Sequence, residues 1–184
     1  MKQTFRSAGK FVGTAMSKWI TTSATSLYGT FRGATEMNAN LSGWNVGKVV
    51  TLRDTFYGAL KFAGTGLGSW ITASVTNLDV TFFSTWKMNS DLSGWSVAKV
   101  TSMRYTFQQA SKFIGTGLSF WDTASVTHMG YSFSAASEMN ADLSAWKMNK
   151  VTSFDNTFSA ASKFVGTGLN LWDTASITSL RYTF

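Results

Sequence analysis

Trp121-Asp-Thr-Ala-Ser-Val-Thr-His-Met-Gly-Tyr-Ser-Phe133 is a template that recurs along the whole chain. A Trp and a Phe twelve residues apart appear as Trp19/Phe31, Trp44/Phe56, Trp70/Phe82, Trp95/Phe107, Trp121/Phe133, Trp146/Phe158 and Trp172/Phe184. Self-similarity at a period near 25 residues is the mark of a solenoid, in which each unit packs on its neighbours. If each repeat ends on its Phe, the units are 6–31, 32–56, 57–82, 83–107, 108–133, 134–158 and 159–184, within a single segment covering 1–184. They alternate between 26 and 25 residues. The Trp-to-Phe half keeps its length, and the extra residue always falls between Phe and the next Trp. Odd units there read like Lys163-Phe-Val-Gly-Thr-Gly-Leu169, and even units like Glu138-Met-Asn-Ala-Asp-Leu143. The building block is therefore a pair of repeats.

Apolar spacing sets the expected local structure. Met103, Phe107, Ala110 and Phe113 advance in steps of 4, 3 and 3, which suits a short α- or 3₁₀-helical segment facing inward. Thr101 precedes it as a candidate N-cap, with Thr25, Thr76, Thr127, Thr152 and Thr178 in the same position of other repeats. Leu118-Ser-Phe-Trp121 and Leu41-Ser-Gly-Trp44 read as short strands that would stack in parallel at about 4.8 Å per repeat. Gly64-Thr-Gly66, Gly115-Thr-Gly117 and Gly166-Thr-Gly168 supply corners that call for positive φ.

Composition narrows the functional classes. Of 184 residues, 44% are hydrophobic, with 15 Phe and 8 Trp, enough for a continuous core. There is no Cys, which removes disulfides, thiolate metal sites and a Cys nucleophile. There is no Pro, so every peptide group after the first residue can donate a hydrogen bond. The formal charge of +7 serves solubility and also favours acidic partners. Met1-Lys-Gln-Thr-Phe5 aligns with Met103-Arg-Tyr-Thr-Phe107 and carries no apolar signal region. The expectation is a window of a longer array, whose start says nothing about localisation.

The pattern Leu-Ser-x-Trp-x-x-x-x-Val-Thr-x-Met-x-x-x-Phe-x-x-Ala resembles the BspA-like leucine-rich-repeat surface proteins. The likeness is strongest to the branch with DLSxWDTSxVTxMxxMF-type repeats, found in mycoplasma-type surface lipoproteins and in bacterial and protist adhesins. Residues 92–113 and 143–164 carry the match, and the likeness extends over essentially the whole chain. It implies a right-handed, leucine-rich-repeat-like solenoid of seven turns, with a short parallel strand and a short helical segment in each. It also implies an extracellular or cell-surface location and a role in binding or adhesion. The regular 26/25 alternation departs from that pattern. So does the first repeat, where Thr14-Ala15 stands in place of the Gly-Thr-Gly corner.

No constellation points to an enzyme, a cofactor or a metal. The single histidine, His128, occupies a polar slot that elsewhere reads Ser26, Thr51, Asn77, Ser102, Ser153 and Ser179, so it reads as solvent-facing. Asn40, Asp91 and Asp142 share a slot in alternate repeats, about 9–10 Å apart at strand spacing, too far to share a Ca²⁺. Charges form a ladder, Lys10, Glu36, Lys61, Lys87, Lys112, Glu138, Lys163, whose opposite pairs would fix the register of neighbouring repeats. Lys48, Lys99 and Lys150 form a candidate basic stripe for a polyanion. Asn40-Leu-Ser42 is the one glycosylation sequon.

Unit 83–107 is irregular. Phe83 and Trp86 replace small polar residues, Tyr57 precedes Phe83 in the same slot, and Lys87 breaks the charge alternation. Tyr57, Phe83, Trp86 and Lys87 are the candidate interface, because aromatic groups beside cations favour binding surfaces. The expected function is a non-enzymatic structural or adhesive repeat protein. Its partners would be a protein or glycan of a host or neighbouring cell, or copies of itself. No specific nucleic acid is expected, and a membrane would be met only through an anchor outside this segment. The alternatives are a filament built by head-to-tail stacking and polyanion binding through the lysine stripe.

Overall fold

Backbone hydrogen bonds follow one rule through the segment that ends each repeat. In the computed structural model, which describes residues 1–184, alternate N–H groups point to different repeats. Leu52, Asp54, Phe56 and Gly58 donate to the carbonyls of Asn77, Asp79, Thr81 and Phe83 in the next repeat. Between them, Thr55, Tyr57 and Ala59 donate three residues back, to Leu52, Asp54 and Phe56. Met103–Gln109 repeats the pattern against His128–Ser134. This alternation needs two left-handed residues per repeat, four apart. Asp54 and Gly58, Val80 and Ser84, Tyr105 and Gln109, and Tyr131 and Ala135 take φ from +55° to +67°. Each non-glycine residue there costs about 1–2 kcal/mol. The compensation is that the N–H groups of these segments are paired alternately within the repeat and across its boundary.

The segment Met103–Phe113 is thus a run of three-residue turns and not a helix. Thr106, Ala110 and Phe113 donate to the carbonyls of Met103, Phe107 and Ala110. Apolar steps of 4 and 3 fit such turns as well as they fit a helix. The parallel pairing also lies elsewhere than at Leu118–Trp121. It consists of single-residue bridges that join Ser26, Thr51, Asn77, Ser102 and His128 in sequence, and Ser153 to Ser179. Thr76, Thr127 and Thr178, read as helix caps, instead donate their hydroxyls to the carbonyls of Val50, Thr101 and Thr152 one repeat earlier, at 3.0–3.1 Å. Leu118–Phe120 is a short 3₁₀ turn, as are Met16–Lys18, Leu67–Ser69 and Leu169–Leu171, all in odd repeats.

The core is a set of columns. Phe31, Phe56, Phe82, Phe107, Phe133 and Phe158 stack at centroid spacings of 5.4–5.6 Å, each nearly parallel to the next. Beside them Trp44, Trp70, Trp95, Trp121 and Trp146 stack at 6.1–6.4 Å. Burial of each ring stabilises the stack by about 1.5–3 kcal/mol. The indole N–H of each buried Trp donates back one repeat, to the carbonyl three residues before the preceding Trp. Trp95 donates to Leu67 at 2.9 Å, Trp121 to Leu92 at 3.2 Å and Trp146 to Leu118 at 2.8 Å. This acceptor explains why the slot holds Trp and not another Phe.

A third column is polar and fully buried. The hydroxyls of Thr55, Thr81, Thr106 and Ser132 sit between two carbonyls, one three residues back and one in the preceding repeat. For Thr106 these are Met103 at 2.7 Å and Leu78 at 2.9 Å. The Gly-Thr-Gly corners are places where odd repeats approach even ones closely. Gly117 has φ +93°, and a Cβ there would lie 2.1 Å from the Ser93 nitrogen; Gly66 makes the same approach to Ser42. Outside the ends, the apolar columns are closed. The end repeats expose what inner repeats bury, including Trp19 at one end and Leu180 and Phe184 at the other.

Candidate functional site

The irregular repeat divides its four flagged residues into two places. Tyr57 and Phe83 stack on each other at 4.8 Å and 9°, and Arg32 lies 4.3 Å over the Tyr57 ring while reaching Asp54 at 2.5 Å. That is a surface column, Arg32 to Tyr57 to Phe83, in which both faces of the Tyr57 ring are covered. Trp86 and Lys87 stand apart from it. Trp86 is 50% exposed, and with Lys87 it walls an open groove of about 510 Å³ whose other side is Gln109, Ser111, Lys112 and Ala135. Of these four, only Lys112 is marked in the sequence, through the charge ladder. Gln109, Ser111 and Ala135 are ordinary surface residue types and carry no signal of their own.

The charge ladder forms in part. Lys61 meets Glu36 at 2.5 Å and Lys163 pairs with Glu138. The hydrogen bond from Lys163 holds the Glu138 carboxyl below the usual glutamate range, with further help from the charges of Lys163 and Lys112. Lys10, Lys87 and Lys112 have no carboxylate within ion-pair distance. Lys48, Lys99 and Lys150 are exposed and unpaired. The serines of the intervening repeats are turned to the backbone: Ser74, Ser125 and Ser176 donate to the carbonyls of Gly47, Ala98 and Asn149. The stripe is therefore three separate ammonium groups.

The Asn/Asp slot closes turns. Asn40, Asp91 and Asp142 each accept the N–H two residues on, from Ser42, Ser93 and Ser144, at 2.8–2.9 Å. That backbone bond lowers the Asp142 carboxyl below its ordinary range. Asn40 is exposed on such a turn. No three of the carboxylates and the histidine converge on a point that a metal ion would fill.

One break interrupts the backbone ladder, and it falls at His128. Elsewhere the Leu/Met N–H reaches the next bridging residue's carbonyl, as Leu78 to Ser102 and Met103 to His128 do. Met129 makes no such bond to Ser153, nor Thr152 to Thr127, and no bridge joins His128 to Ser153. Beside the gap lies a cavity of about 160 Å³ lined by Arg104, His128, Gly130, Tyr131, Ser153 and Asp155, among others. Gly130 removes the side chain that fills this slot in most other repeats. His128 is exposed, with Nδ1 2.8 Å from the Thr127 hydroxyl.

The chain matches the family described as "Mycoplasma protein of unknown function, DUF285" twice, over residues 1–95 and 76–184, which together span it. The chain belongs to that family. No curated protein and no solved structure matches it. No helix is long and apolar enough to cross a membrane.

Proposed function

We propose that this chain is a stretch of right-handed, leucine-rich-repeat-like solenoid, displayed at a cell surface or outside the cell, with a non-enzymatic structural or adhesive role. The observation that carries this reading is the division of labour within the repeat. The indole N–H groups and buried hydroxyls hold one repeat on the next, and the turn carboxylates close turns within a repeat. What remains free is the groove walled by Trp86 and Lys87 and a set of unpaired surface lysines. Family membership and the likeness to mycoplasma-type surface repeat proteins support the same reading. The test is protease shaving of intact cells that express the protein. Loss of the chain from unbroken cells is expected, and full protection until lysis would refute a surface location.

Self-association is a second reading, favoured by the apolar end faces. Trp19 is 41% exposed at one end and Phe184 75% at the other, where inner repeats bury the equivalent columns. Those faces suit another repeat-shaped surface, supplied by a second copy or by adjoining repeats. Light scattering at rising concentration separates self-stacking, which raises the mass, from a monomer, which does not.

A further inference from the structure

The groove at Trp86 has a chemistry that its neighbours lack. The slot it occupies reads Gly9, Thr35, Leu60, Trp86, Ser111, Ser137 and Ser162 through the seven repeats. A single large ring therefore stands over small residues of the following repeats, with half its surface in solvent. The adjacent slot is the charge ladder, where Glu36 and Glu138 engage Lys61 and Lys163 and leave Lys87 and Lys112 on the groove without a carboxylate partner. Repeats lie about 4.8 Å apart at parallel-strand spacing, so two ammonium groups from consecutive repeats can reach one anionic group. The Gln109 Oε1 accepts the Ser84 hydroxyl at 2.7 Å, which leaves its amide N–H groups for the groove. No acidic residue lines it.

We infer that this groove binds an acidic carbohydrate, with a sugar ring on the Trp86 face and its carboxylate or sulfate between Lys87 and Lys112. The inference rests on the reading of the chain as a binding repeat protein and specifies the ligand class. A flat indole with no second ring against it is a one-sided platform, and its electron-rich face attracts the polarised C–H groups of a pyranose. Single-stranded nucleic acid is a poorer fit, because it stacks successive bases on successive aromatic groups. Here the neighbours of Trp86 in its column are Leu60 and Ser111, and the Tyr57 and Phe83 rings are stacked on each other. An extended acidic peptide needs an open backbone edge. Along this face the edge is closed, with Ser84 N–H on the Gln108 carbonyl and Gln109 N–H on the Ser134 carbonyl, each at 2.8 Å.

The experiment is calorimetric titration of the purified chain with a de-esterified oligogalacturonate and a heparin oligosaccharide, which separate carboxylate from sulfate recognition. The methyl ester of the first, polyglutamate and oligo-dT of equal charge serve as comparisons. At least one acidic saccharide is expected to bind, at least about tenfold more tightly than the ester, polyglutamate or oligo-dT. Trp86→Ala and the pair Lys87→Ser/Lys112→Ser are each expected to weaken it by about tenfold or more, whereas Lys48→Ser/Lys99→Ser/Lys150→Ser leaves it unchanged. Should Trp86→Ala lose the fold by circular dichroism, the exposed lysine pair still decides the matter. No saccharide binding, equal binding of polyglutamate or oligo-dT, or loss with the Lys48 triple variant alone overturns the inference. Any of those outcomes leaves the surface-shaving result standing, so the two readings fail separately.

Discussion

Replacing Trp95 by Phe, and separately Trp19 by Phe, sets the same chemical change in two different surroundings. Trp95 is 3% exposed, lies between Trp70 at 6.1 Å and Trp121 at 6.4 Å, and donates its indole N–H to the Leu67 carbonyl at 2.9 Å. Trp95→Phe loses that hydrogen bond, about 1 kcal/mol. It also leaves a cavity where the second ring stood, between two columns too closely packed to collapse, for about 1–2 kcal/mol more. The expected loss is about 2–3 kcal/mol in all. Trp19 is 41% exposed, contacts Trp44 on one side only, and its indole N–H has no protein acceptor. Trp19→Phe is expected to cost under about 1 kcal/mol. Urea unfolding followed by circular dichroism measures both, with the midpoint compared at unchanged slope. Equal losses at the two positions would refute the column account, since the substitution is identical and only the indole's surroundings differ.

Three further outcomes follow from other parts of the stack. Gly117→Ala is expected to cost more than about 2 kcal/mol, because φ is +93° and the new Cβ meets the Ser93 backbone at 2.1 Å; Gly47→Ala, with no such approach, should cost under about 1, both read by thermal unfolding. The Glu138 carboxyl should titrate below the ordinary glutamate range by NMR and move back toward it in Lys163→Met. A depressed carboxylate contributes its stability above the unfolded pKa and loses it as pH falls through the folded value, so the Lys163 pair should matter at neutral pH and vanish in acid. Hydrogen exchange should be faster at the amides of Met129 and Thr152, which face the break in the ladder, than at Leu78 and Thr101, which are bonded across repeats. Equal protection at all four would mean that the ladder is continuous.

The repeat itself was legible in the residues, because Trp and Phe recur at fixed spacing and can be aligned by eye. The corners were legible for the same reason: Gly64, Gly66, Gly115 and Gly117 all take positive φ near +93°. What the sequence could not disclose is the backbone path between them. Steps of 4, 3 and 3 at Met103, Phe107, Ala110 and Phe113 describe a helix and a run of turns equally well. The difference lies in left-handed residues such as Val80, Tyr105 and Ala135, which no propensity favours and only the neighbouring repeat sustains. The Thr column before each Phe is visible in the residues but its role is not, since both acceptors of Thr106 are carbonyls, which leave no trace in side-chain pattern. At the candidate site, Trp86 and Lys87 stood out against the template, but their separation from Tyr57 and Phe83 did not. Residues three apart share a face on a helix and need not do so on consecutive turns.

The parity of the repeats tests the stacking account most directly. Deleting residues 108–158 removes one odd and one even repeat, and it sets Phe107 directly before Ser159 with the alternation intact. Deleting 108–133 alone brings two even repeats together and puts Asp142 where Gly117 now stands, with a Cβ 2.1 Å from the Ser93 nitrogen. Equilibrium unfolding of the two shortened chains should show the pair deletion retaining a cooperative transition with a proportionately smaller urea dependence, and the single deletion destabilised or unfolded. If the single deletion is as stable as the pair deletion, the repeats do not stack through the corner contacts described above.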